Sequence, residues 1–195
     1  MDEQYYYDYL KQDAAGDKKA AKKAIGQFVS SFRSFSEKKE WTNSFLNRRK
    51  THNKKIRHEL FEFVVFPVLE KGFQEDDPKC LFWLGCMIQN LFSARPLHEK
   101  ISFLGGTELL LKAHAIDPES EEIRCKLLHE LIAGFDYCDH EWPAGLLIDE
   151  TDDRESMLSE VQFARQLDTN GKFATRLAEF ESRIEQYFSR EYFVR

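Results

Sequence analysis

Apolar residues recur at steps of three and four along most of the chain, and sustained alternation of apolar with polar positions, the mark of a strand, is hard to find anywhere. Between 18 and 35 the stripe consists of Ala21, Ala24, Ile25, Phe28, Val29, Phe32 and Phe35. It follows an Asp17 placed to cap a first turn, and predicts a helix with one greasy face. A second helical region starts near 37, carries Trp41, Phe45 and Leu46, crosses a basic segment at 48–57, and reaches Phe61, Val64, Val65, Val68 and Leu69. Pro67 is expected to kink or divide it, because proline removes a backbone donor and crowds the turn before it.

Asp76-Asp77-Pro78 then reads as a cap followed by proline in a first helical turn. The helix it opens has almost no polar face, with Cys80, Leu81, Phe82, Trp83, Leu84, Cys86, Met87, Ile88, Leu91 and Phe92, and belongs in the centre of the fold. Gly105-Gly106-Thr107 opens another through Leu109, Leu110, Leu111 and Ala115. Asp117-Pro118-Glu119-Ser120 repeats the start signal for a helix through Ile123, Leu127, Leu128, Leu131, Ile132 and Phe135, with Gly134 at its expected end. After a linker-like stretch at 139–143 and an acidic one at 149–155, two more helices follow. One carries Met157, Leu158, Val161 and Phe163; the other, beyond Asn170-Gly171, carries Phe173, Leu177, Phe180, Ile184, Phe188 and Phe193.

The middle of the chain answers itself. Val68-Leu69-Glu70-Lys71 matches Leu109-Leu110-Leu111-Lys112 at an offset of 41, Asp77-Pro78 matches Asp117-Pro118 at 40, and Leu84, Ile88 and Phe92 match Leu127, Leu131 and Phe135 at 43. Two helix-turn-helix units of about forty residues are the natural reading of such a period. Trp83-Leu84-Gly85 and Ala113-His114-Ala115-Ile116-Asp117-Pro118 resemble the small-residue and aspartate-proline landmarks of tetratricopeptide and Sel1-like helical repeats, over residues 68–135. The resemblance implies stacked helical hairpins that bind protein segments, and no chemistry. The expected fold is therefore all-α: stacked antiparallel helical hairpins in a single domain over 1–195. A basic N-terminal hairpin (18–66) and an acidic C-terminal one (143–195) flank the tetratricopeptide-like hairpins (60–135).

With 195 residues and 23.0 kDa the chain has the size of one domain, and its 42% hydrophobic and 32% charged content excludes the disordered and collagen-like classes. The formal charge of -6 hides a polarised distribution. Residues 1–17 carry -4, residues 18–58 carry thirteen basic side chains against two acidic for +11, and residues 59–195 carry -13. No uncharged apolar run reaches the roughly 18 residues of a membrane span, and the start MDEQYYYDYL is acidic where a signal peptide would be basic. Cys80, Cys86, Cys125 and Cys138 make no disulfide framework, which points to a cytoplasmic location.

Candidate chemistry is sparse. His58-Glu59 and His129-Glu130 begin like zinc-protease motifs, but Glu62 and Ala133 stand where the second histidine is needed. Cys125, His129, Cys138 and His140 form a zinc-compatible donor set, with one pair a helical turn apart and the other expected in a following turn. Against that stands the plain alternative of small core thiols and surface histidines. The basic run with Arg48, Arg49, Lys50, Lys54, Lys55 and Arg57, preceded by Trp41 and Phe45, suits phosphates, an acidic protein partner, the acidic C-terminal third of the same chain, or a plain solvated face. Tyr137 and Trp142 are candidate aromatic anchors. The cluster Tyr5, Tyr6, Tyr7 and Tyr9 reads as a recognition segment or as a terminus packed on the domain. No phosphate loop, nucleophile elbow or catalytic triad ordering is recognisable, and no cofactor is implied. The expected function is a non-catalytic protein-protein interaction module, in its specific form an inhibitor or immunity-type protein that occludes a partner. The alternatives are a nucleic-acid binder using 33–57 and a metal-dependent helical enzyme.

Overall fold

A computed structural model of the chain describes residues 1–48, 56–140 and 154–189, and among them every regular element is helical. The all-α expectation holds. The chain forms two compact units, Met1–Asp117 and Pro118–Arg195. By charge the first unit holds nineteen basic and sixteen acidic residues, net +3; the second holds nine and eighteen, net -9, which together restore the -6 of the whole. No helix among the described residues is long and apolar enough to cross a membrane.

In the first unit, α1 (Gln4–Ala14) and α2 (Lys18–Ser30) pack most extensively on each other across a turn in which Gly16 takes a positive φ of 78°. Asp17 caps α2 as expected, its carboxylate accepting the Ala20 N–H at 2.9 Å. Ser34 caps α3 (Phe35–Asn47) by accepting from the Glu37 N–H, while Glu37 reaches back to the Arg33 N–H at 2.9 Å. These reciprocal bonds satisfy donors that a helix start leaves open. Seated between the three helices, Tyr6 lies 5.2 Å from Phe28 and 5.4 Å from Trp41, ring centre to ring centre, and Trp41 stacks on Phe45 at 4.7 Å. The tyrosine-rich start therefore packs on the domain through Tyr6, while Tyr7 stays exposed.

Ile56 is anchored by buried Asn90, whose side chain takes both its N–H and its C=O, at 3.2 and 2.9 Å. Helix α4 (His58–Leu60) then runs through a π-helical turn, Phe61–Val65, into α5 (Phe66–Gln74). Pro67 does not divide this helix. The wider turn, in which the Phe66 N–H donates to the Phe61 carbonyl five residues back, loosens the spiral just ahead of the proline ring and spares the clash a regular α-turn would impose.

A turn in which Asp76 adopts φ 51° leads to α6 (Pro78–Cys86), capped by Asp77, whose carboxylate accepts from the Lys79 and Cys80 N–H groups. The helix expected over 78–92 breaks at Met87, and α7 (Ile88–Phe92) and α8 (Arg95–Glu99) follow as short pieces. Two glycines set how closely these helices approach. A Cβ on Gly72 would stand 2.2 Å from Cys80 Sγ, and one on Gly85 would stand 3.0 Å from the Gly106 carbonyl oxygen, where α6 packs against α9 (Gly106–Ile116). Leu81, Leu84, Leu109 and Leu110 are fully buried around this contact.

The second unit comprises α10 (Glu121–His140), α11 (Arg154–Leu167) and α12 (Ala174–Ser189). Its core is a narrow stripe from each helix, including Leu127, Phe135, Val161, Ala164, Leu177, Phe180 and Ile184, with Phe135 stacked on Phe180 at 4.6 Å. Gly134 does not end α10, which continues to His140. The α11–α12 turn is held by Asp168, which accepts from the Lys172 and Phe173 N–H groups at 3.0 and 2.7 Å. The helices expected to pair as the second repeat-like hairpin, α9 and α10, belong to different units.

Candidate binding cleft

The seating of α3 against α5 and α6 leaves a cleft of about 210 Å³ in the first unit. Its floor is apolar, formed by Leu46, Val68, Leu69 and Trp83, all buried because each lies on the core stripe of its own helix. Its rim is basic: Lys39 from α3, Lys71 from α5 and Lys79 from α6, with Asn43 and Asn47 between them. Phe35 closes one end, and the Lys71 ammonium lies over its ring at 5.3 Å.

The three lysines are held to different degrees. Lys79 donates to Asn47 Oδ1 at 2.7 Å, a neutral partner. Lys71 reaches Glu75 at 3.7 Å with both side chains more than half exposed, a loose pair of the kind worth little in water. Lys39 forms no ion pair among the described residues. Of the two carboxylates at the rim, Asp77 is committed to capping α6. The cleft therefore sets three ammonium groups against two carboxylates, a modest positive excess, above an apolar base.

Cys80 also lines the cleft. Burial, the charge of Asp77 and a hydrogen bond with Asp77 push its thiol up to about 12, while the Lys39 ammonium pulls the other way. A thiol so placed is uncharged at neutral pH and is a poor nucleophile. The cleft is also smaller than the roughly 300–1,000 Å³ of sites that enclose a small molecule or cofactor. It can take one side chain or a small ion. A broader depression of about 640 Å³ on the second unit, lined by Asp139, Glu179, Ser182 and Arg183, has no apolar floor of comparable kind.

The residues singled out by sequence are scattered. Arg48 donates to the Ser44 carbonyl at 3.1 Å, and Arg57 donates to Glu59 Oε2 at 3.1 Å, so both are engaged within the first unit. Arg49, Lys50, Lys54, Lys55 and Trp142 lie outside the described residues. Tyr137 is exposed on α10, in the second unit. Cys125, His129, Cys138 and His140 all fall on that single helix, and the second pair is not in a turn. A rise of about 1.5 Å per residue separates the two pairs by more than ~13 Å, too far to share one ion. His129 Nδ1 lies 2.7 Å from the Cys125 carbonyl oxygen, and no group of three or more His, Cys, Asp or Glu among the described residues is arranged to hold a metal.

The rim lysines were missed by sequence reasoning. Lys39, Lys71 and Lys79 stand in three separate helices, and only Lys39 belongs to the conspicuous basic block. Comparison of the chain with protein-family models, with curated proteins and with solved structures found no match.

Proposed function

We propose that the chain is a non-catalytic module that binds another protein, in its specific form an inhibitor or immunity-type protein that covers a partner's surface. The observation that carries this reading is the cleft between α3, α5 and α6, whose apolar floor under a lysine rim has the make-up of an interface anchor site. Its size suits a side chain better than a substrate, and its one thiol is held uncharged. The stacked-hairpin, tetratricopeptide-like reading of the middle region is consistent with α5 and α6 packing across a short turn, and forms part of the same proposal.

The test is affinity capture from a lysate of the source cells at about 0.15 M salt, with and without nuclease, using the native chain and a Lys39→Glu/Lys71→Glu/Lys79→Glu variant. One protein recovered in stoichiometric amount, resistant to nuclease and lost from the variant, is the expected result. Recovery of nucleic acid alone, released by nuclease, would overturn the reading in favour of the basic segment as a phosphate-binding face.

A further inference from the structure

Resting on the protein-binding reading, we infer that the α3–α5–α6 cleft receives an acidic segment of its partner that inserts one apolar side chain between Lys39 and Lys71. Three observations converge on that occupant. The floor of Leu46, Val68, Leu69 and Trp83 is mostly hydrocarbon and favours an apolar group, since burying a polar one against it would strip water with few hydrogen bonds to replace it. A volume of about 210 Å³ admits one such group.

The rim then sets the sign of what flanks it. Lys39 is unpaired among the described residues, Lys79 rests on a neutral amide, and Lys71 is only loosely held by Glu75, so all three ammonium groups can turn to incoming carboxylates. Of the rim lysines, Lys39 lies in the stretch 18–58 that carries +11, and the first unit as a whole carries +3, a balance that favours acidic partners over basic ones. Nucleic acid fits less well. It binds single strands by stacking bases on open aromatic faces, and the exposed aromatic here, Phe35, already has Lys71 over its ring.

The probe is a short fluorescein-labelled peptide of alternating Glu and Asp with a central Leu, followed by fluorescence anisotropy on the full chain. It is compared with the same peptide carrying Ser in place of Leu, with a Gln/Asn version, and with a single-stranded oligonucleotide of equal charge. The expected result is saturable binding of the acidic Leu peptide, weakened roughly tenfold or more by Lys39→Glu/Lys71→Glu and by loss of the Leu. An equal change of charge on α2, Lys18→Glu/Lys22→Glu, is expected to cost less than about threefold, since it alters only the general field. Circular dichroism verifies that the variants fold, and Lys39→Gln/Lys71→Gln provides a milder pair. Absence of binding, indifference to the Leu, equal effects of the two charge-reversed pairs, or tighter binding of the oligonucleotide each overturn the inference. The protein-binding reading fails separately: it is lost only if the lysate yields no nuclease-resistant partner, and a captured partner that ignores the acidic peptide removes this inference alone.

Discussion

The two compact units solve the same problem, holding amphipathic helices together, with different chemistry. Around Trp41 the first unit builds a cluster of aromatic rings within about 6 Å of one another and buries whole faces of α5 and α6. The second unit buries only a narrow stripe per helix and adds arginine–carboxylate pairs across its helices: Arg154 with Glu185, Arg165 with Glu181, and Arg176 and Arg183 with Asp139, Arg176 also reaching Asp136. The lesson concerns charge as much as stability. In the second unit these arginines are answered by carboxylates across helices, whereas of the cleft lysines in the first unit only Lys71 meets a carboxylate among the described residues, loosely and on its own helix, and Lys79 meets a neutral amide.

The sharpest way to expose this contrast is to remove the centre of the aromatic cluster. Trp41→Ala is expected to cost about 3–5 kcal/mol, the range for deleting a large buried aromatic. Urea unfolding gives the loss, and hydrogen exchange places it: protection falls in α1, α2 and α3. Comparable loss of protection in α10–α12 would break the comparison. Gly72→Ala comes next, since its Cβ would stand 2.2 Å from Cys80 Sγ and 2.4 Å from Cys80 Cβ. Forcing α5 from α6 is expected to cost about 1–3 kcal/mol. Cys80→Ala removes only the sulfur and leaves the second clash, so it is expected to rescue Gly72→Ala in part; a double-mutant cycle showing no coupling would refute the close approach.

Asn90→Ala strips the partner from both backbone groups of Ile56 in a buried site, and is expected to destabilise the first unit by about 1–3 kcal/mol. A loss within a few tenths of a kcal/mol, measured by denaturant unfolding, would show that water takes the place of the amide.

What could be read from the sequence divides along a physical line. Local signals were legible: the apolar stripes of α2, α6 and α10 and the caps Asp17 and Asp77 depend only on neighbours within a few residues. Features that need a second element were not. The helix α1 gave only a run of tyrosines, because its inward face becomes visible once Phe28 and Trp41 are in place to receive Tyr6. The π-turn at Phe61–Val65 left no trace, since one widened turn shifts the apolar spacing by a single residue. The Cys/His set looked like a metal site on the assumption of a turn after Gly134, and α10 runs straight through that glycine. For the cleft, the obstacle was distance along the chain: its three lysines are brought together only by the packing of α3 on α5 and α6.

The smallest expected effect separates the two kinds of chemistry most cleanly. Glu37 in the first unit and Glu181 in the second are both held below the ordinary value of 4.5: Glu37 chiefly by accepting the Arg33 N–H and then by the N-terminal ammonium, and Glu181 chiefly by the hydrogen bond from Arg165. Since both folded values are lowered, each group contributes stability that is present above the unfolded carboxylate range and lost as pH falls through the folded value. The contribution of the Glu181 pair is under about 1 kcal/mol, as for other exposed pairs. Salt distinguishes them. At about 1 M ionic strength the screening length falls to roughly 3 Å, which weakens attraction to a guanidinium but leaves a backbone N–H bond nearly intact. In a carbon-13 NMR titration of the side-chain carboxyls, Glu181 is therefore expected to move back toward its ordinary pKa on adding salt, and Glu37 to move less. Equal movement of the two would mean that the first unit relies on charge as much as the second, and the contrast between them would fail.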